Sequence, residues 1–164
     1  MRFLFKLLSA AIPALLLVAP ASAQGPLVEK NISAALANAI VQAAVEQCAK
    51  DGIRVAVAVV DRGGHLKAFL RNDGPGGHAV EIARRKALTA RMFNRTTIEF
   101  VKWTENPALA GLRDVADVIS LGGGVPIRAG NELIGGVGVS GGPTAEKDEA
   151  CAKAGIDKVA DLLK

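Results

Sequence analysis

Between His78 and Phe93, residues of different chemical kinds recur at helical spacing: His78, Ile82, Lys86, Thr89 and Phe93 share one stripe. An apolar wall interrupted by an imidazole, an ammonium and a hydroxyl suits an amphiphilic ligand with an anionic end. Arg85, beside the stripe, and Arg71, before the preceding loop, add guanidinium groups that can grip a carboxylate with two parallel hydrogen bonds. The same pattern also fits a helix edge whose polar groups meet solvent, and periodicity does not separate the two.

Other chemistry is less well supported. His65 and His78 are the only histidines, with no third to complete a zinc site, and His65 reads as a solvated residue at the start of a strand. No serine stands in a nucleophile elbow, and Asp61 and Asp73 lie in turns, where carboxylates ordinarily cap. Gly136-x-Gly138-x-x-Gly141 satisfies the dinucleotide fingerprint between a strand and a helix. A Rossmann unit also needs a second parallel strand ending near an acid about twenty residues on, whereas the sequence stops inside that helix at Lys164. The run is therefore read as glycines that let a strand pack closely and turn into a helix. The first amides of that helix could hold a carboxylate.

These groups need a frame. Val55 to Val60 is apolar on both faces, with Val55, Val57 and Val59 opposite Ala56, Ala58 and Val60, which predicts a central strand covered on both sides. His65 to Arg71 alternates, so Leu66, Ala68 and Leu70 are expected on the core and His65, Lys67, Phe69 and Arg71 on the other face. Asp61-Arg-Gly-Gly64 joins the two as an antiparallel hairpin. The Asn72–Gly77 break, with Pro75, leads into a helix from His78 to Asn94, whose Ala79, Ala83, Ala87 and Ala90 suit close approach to a sheet.

Ser33 caps an earlier helix to Lys50, and Thr96 with Glu99 forms a capping box for a short helix around Phe100 and Trp103, the latter a packing residue. Asn106-Pro107 breaks it, and the segment to Asp117 reads as an irregular cover or a subunit contact. Val118–Leu121 and Pro126–Arg128 are expected strands, Glu132–Ser140 returns antiparallel, and a last helix starts near Thr144. The expectation is one α+β domain with a five-stranded antiparallel sheet flanked by helices.

Laid end to end, these runs resemble a known family. Val57-Ala-Val-Val-Asp-Arg-Gly-Gly64, Leu70-Arg71-x-Asp73-Gly74, Arg85-Lys86-Ala87-x-Thr89-Ala90 and Thr97 match in order and spacing. So do Gly123-Gly124-x-Pro126, Gly138-Val-Ser-Gly141, Asp148-Glu149 and Ala154-Gly155. The chain looks like a member of the HbpS/GlcG haem-binding family over nearly all of residues 24–164. The resemblance implies a profilin-like domain, frequent assembly into large homo-oligomers, and binding of haem or a related tetrapyrrole in a sensing, carrier or degradation role. It carries over Thr89 and Thr97 as ligand-site candidates. His78 is the rival for the iron, because imidazole is a strong haem ligand. On this reading haem lies where the first half of the His78–Asn94 helix meets the Asn72–Gly77 loop. Ile82 and Phe93 contact the ring, Arg85 and Lys86 meet the propionates, and Arg71 is a further cofactor-binding candidate. An alternative is an accessory protein or enzyme for a small hydroxy acid such as glycolate, clamped by Arg71, Arg85 and Lys86.

The ends of the chain bear on location. A basic start at Arg2 and Lys6, an apolar run from Leu7 to Val18 and Ala21-Ser-Ala23 read as a signal peptide of residues 1–23, cleaved before Gln24. The domain would be periplasmic or secreted, with no membrane anchor after cleavage. Loss of Arg2 and Lys6, with no acid, takes the net charge from +4 to +2. That near-neutrality, with no tyrosine and few aromatics, argues against nucleic acid as a partner. Cys48 and Cys151 would either form a disulfide in an oxidising compartment or sit as plain buried residues.

Overall fold

The structure, a computed structural model, describes residues 25–164, so the signal-peptide reading lies outside the described residues. Helix α1 (Ala34–Lys50) starts at Ser33, whose side chain accepts the Leu36 N–H. Strands β1 (Ala56–Asp61) and β2 (Leu66–Arg71) form the expected hairpin. Helix α2 (Gly77–Phe93) ends at Asn94 in the left-handed conformation (φ 53°). Helix α3 (Thr97–Trp103) opens on the full Thr96–Glu99 capping box, and a 3-10 segment covers Pro107–Asp114. Strands β3 (Gly124–Ala129) and β4 (Glu132–Ser140) precede α4 (Ala145–Asp157), capped by Thr144.

The sheet order is β2-β1-β4-β3, with every pairing antiparallel. Strand β1 is interior, and Val55 to Val60 are fully buried, as a doubly apolar run demands. Val57 and Val59 pack in the main core with Ile40 and Ala44 of α1 and Ala152 of α4, whereas Ala56 and Ala58 meet Ala79 and Ala83 of α2. The helices therefore divide, α1 and α4 on one face and α2 on the other.

Strand β4 explains why α2 fits so closely. A Cβ on Gly136 would collide with the Ala87 carbonyl, and one on Gly138 with that of Ala83. The fingerprint-like glycines are thus a groove in the sheet that admits the helix backbone.

Two expectations need correcting. Among the described residues the sheet has four strands, because Val118–Leu121 pairs with none of them. Its polar groups are held instead by α2 side chains: Ile119 N–H donates to Thr89 Oγ1 at 3.0 Å, and Arg85 Nη2 donates to the Val118 carbonyl at 2.5 Å. Leu66 is not in the core but 52% exposed. A bulge between Val59 and Val60 pairs Leu66 with Val60, and this one-residue slip moves the side chain to the opposite face.

Cys48 and Cys151 are joined as a disulfide, with Cα atoms 5.6 Å apart, tying the end of α1 to α4 across 103 positions of sequence. Cys48→Ala with Cys151→Ala is expected to lower stability by about 2–5 kcal/mol, through greater unfolded-state freedom. Urea unfolding measures this, and an unchanged midpoint would show that helix packing alone holds α4 in place.

Candidate ligand site

The site grows from one lysine. Lys86 points from α2 past the end of β4, donating to the Val139 carbonyl at 2.9 Å and to Asp148 Oδ2 at 2.8 Å. Both side chains of this ion pair are only 5% exposed. Asp148 also accepts the Gly142 N–H at 2.8 Å, so one carboxylate anchors a helix and a turn together. Gly123 passes directly over the pair with φ +119°, and a Cβ there would lie 2.9 Å from Lys86 Nζ and 2.7 Å from Asp148 Cβ. Only glycine fits that crossing.

Above the pair lies a cavity of about 370 Å³. His78 and Ile82 form one wall, Leu121 and Gly122 a second, and Ser140 to Ala145 a third, with Lys86 and Asp148 between them. His78 is exposed and Ile82 half-buried. Leu121 is 47% exposed, which is unusual for a leucine with a cavity beside it. The cavity is amphiphilic, with aliphatic groups next to imidazole, hydroxyl and ammonium.

The structure thus brings together His78, Ile82 and Lys86 and separates the other expected residues. Thr89 is fully buried and its hydroxyl holds the Ile119 amide. Thr97 is fully buried too, accepting the Gly124 N–H at 2.8 Å and so setting the start of β3. Phe93 packs at 4.6 Å from Phe100 and 6.2 Å from Trp103, ring centroid to centroid, in an aromatic cluster that Arg95 covers. Arg85 donates to the Asp117 and Val118 carbonyls. Arg71 is exposed and donates to the Pro75 carbonyl at 3.2 Å.

The Asn72–Gly77 loop does not line this cavity. Asn72 and Asp73 instead border a separate, wider depression of about 530 Å³ around Arg54, which holds none of the stripe.

The start of α4 is also less open to an anion than its sequence implies. Thr144 Oγ1 takes the Lys147 N–H and Asp148 the Gly142 N–H. Glu146 is held below the usual carboxylate range by its own backbone N–H and then by the Thr144 hydroxyl. The chain supplies its own anions there.

Sequence reasoning missed Asp148 as the partner of Lys86, and Leu121 and Ser140 as walls. An acid in the first turn of a helix is ordinary capping chemistry. No local signal distinguishes this one from a solvated neighbour.

A family model described as haem degrading protein HbpS-like matches residues 32–157. The chain belongs to this family. Protein GlcG of Escherichia coli K12 is 37% identical over 109 residues, 66% of this chain and 81% of that protein. The crystal structure of a double mutant of Streptomyces reticuli HbpS superposes with a TM-score of 0.78 at 37% identity, covering 85% of this chain and 95% of that one. A PduOC complex with haem superposes with a TM-score of 0.71 at 29% identity, covering 79% and 95% respectively.

The buried pair makes a stability test direct. Lys86→Met leaves a carboxylate buried without its countercharge and should cost about 3–5 kcal/mol. Adding Asp148→Asn removes that charge while keeping an acceptor for Gly142, and should recover part of the loss in urea unfolding. Equal destabilisation of the single and double variants would show that the uncompensated charge is not the cause.

Proposed function

We propose that this protein is an exported haem-binding protein whose ligand occupies the cavity between the first half of α2 and the Leu121–Gly122 and Ser140–Ala145 segments. The observation that carries this reading is the meeting of His78, Ile82 and Leu121 around an amphiphilic cavity in a chain of the HbpS-like family. The haem held by the related PduOC structure supports it. Export is supported by the basic, apolar and small-residue order of residues 1–23 and by a disulfide, a bond that persists in oxidising compartments.

The residues fit such a ligand. His78 offers an imidazole at the mouth, Ile82 and Leu121 give the ring an apolar surface that excludes water, and Lys86 has three N–H donors of which two are engaged. Bound haem supplies an iron whose reactivity its axial ligand and surroundings tune. Arg85 is already committed to the chain's own carbonyls and Arg71 to the Pro75 carbonyl, and neither lines this cavity, which disfavours the three-residue hydroxy-acid clamp.

Adding hemin to the unmutated protein should produce a shifted Soret band. His78→Ala should move that band and weaken binding by about tenfold or more, equivalent to about 1.4 kcal/mol. Thr89→Ala should leave the spectrum alone and lower stability, since its hydroxyl holds Ile119. A Soret band indifferent to His78→Ala would place the iron elsewhere, and no spectral response to hemin would remove the reading altogether.

Self-association belongs to the same proposal. The Pro107–Asp114 segment contributes no buried residue, and Val115 beyond it is exposed. A second copy would cover this apolar stretch. Light scattering at micromolar concentration should give a mass above that of one chain, and a strictly monomeric mass would refute it.

A further inference from the structure

A second cleft adjoins the first. It has a volume of about 290 Å³ and lies between α3 and the start of α4, with Ile98, Val101, Leu121 and Ala145 as its apolar lining. Ser120 contributes the one hydroxyl of this lining, and its Oγ is buried without a hydrogen-bond partner among the described residues. Lys102, Glu105 and Glu146 stand around it as the charged members. Leu121, Gly122 and Ala145 line both cavities, so the two are neighbours across one short ridge. Taken singly, each volume is near the lower end of the roughly 300–1,000 Å³ typical of small-molecule sites.

The two halves differ in chemistry as the two edges of haem differ. One holds an ammonium paired with the Asp148 carboxylate, an imidazole and hydroxyls, and the other has an aliphatic lining with Lys102, Glu105 and Glu146 at its border. Haem carries propionates on one edge and vinyl and methyl groups on the opposite edge.

We propose that the two cavities form one composite haem site, in which the macrocycle lies across Leu121 and its vinyl-bearing edge enters the Ile98–Val101 cleft. This rests on the haem reading above and adds an orientation and a set of specificity residues, Ile98, Val101 and Leu121. Leu121 is exposed because its outer face is the ridge on which the ligand rests. Gly122 beside it lets Ile98 and Ala145 close in, since a Cβ there would lie 2.5 Å from Ile98 Cγ1 and 2.7 Å from Ala145 Cβ.

The test compares hemin with deuterohemin, in which hydrogen replaces the vinyl groups, by visible titration of the unmutated protein and of Val101→Trp. Val101 is half-buried on α3, so the indole can extend into the cleft, and far-UV circular dichroism with a thermal melt checks the fold. The unmutated protein should prefer hemin by about tenfold, the scale of discrimination for small apolar groups in a matching pocket. Val101→Trp should weaken hemin, leave deuterohemin nearly unchanged and so abolish the preference. Leu121→Ala provides a second variant and should weaken both ligands, because the ridge supports the ring itself. Equal affinity for the two porphyrins in the unmutated protein, or a preference that survives Val101→Trp, would overturn the orientation while leaving haem binding intact. Failure of hemin to bind at all would overturn both.

Discussion

The contact on which the rest of this structure depends is backbone against backbone, where α2 lies in the glycine groove of β4. Gly136 and Gly138 bring the Ala83 and Ala87 carbonyls to a distance no side chain could share. Alanines at 79, 83, 87 and 90 complete the fit from the helix side. At this separation the third turn of α2 sends Lys86 past the end of the strand, within reach of the Val139 carbonyl. A bulkier sheet face would lift the helix and leave the ammonium short of its partners.

From that contact follows the buried ion pair. Removing two charges from water is expensive, and their attraction offsets the cost only when geometry is good and the remaining donors and acceptors are satisfied. Here Asp148 accepts from both Lys86 and Gly142, and Lys86 reaches a backbone carbonyl as well. The pair joins the helix on one face of the sheet to the helix on the other, around the sheet's end. Three residues beyond Asp148, Cys151 fastens the same α4 to α1. Helix α4 is thus fixed at neighbouring points by a charge and by a covalent bond, and the cavity it borders is built on elements with little freedom to shift.

The division of labour along α2 follows from this. Its inward alanines make the packing, Thr89 and Arg85 hold the 117–119 segment in place, and only the first turns are left to face a ligand. The threonine is a structural pin whose position controls where Leu121 emerges. A side chain that shapes the site without touching its contents has the same place in a sequence motif as one that binds.

Much of the frame was legible in the residues alone, because it rests on local physics. Helix caps at Ser33, Thr96 and Thr144 satisfy nearby amides, a doubly apolar strand must be interior, and a glycine-containing turn between that strand and an alternating run makes a hairpin. The His78–Ile82–Lys86 grouping was legible too, since helical spacing alone sets it. What the tertiary structure decided are matters of long-range partnership. Val118–Leu121 has the composition of a strand, yet it is claimed by Thr89 and Arg85 before any strand edge reaches it. Leu66 alternates correctly, yet a bulge one step away turns it outward. Lys86 carries a charge that suits a ligand's carboxylate, yet the fold supplies Asp148 from 62 positions away. Composition and spacing state which groups need partners, and only the folded chain, by bringing distant groups within hydrogen-bond range, determines which partner each one meets.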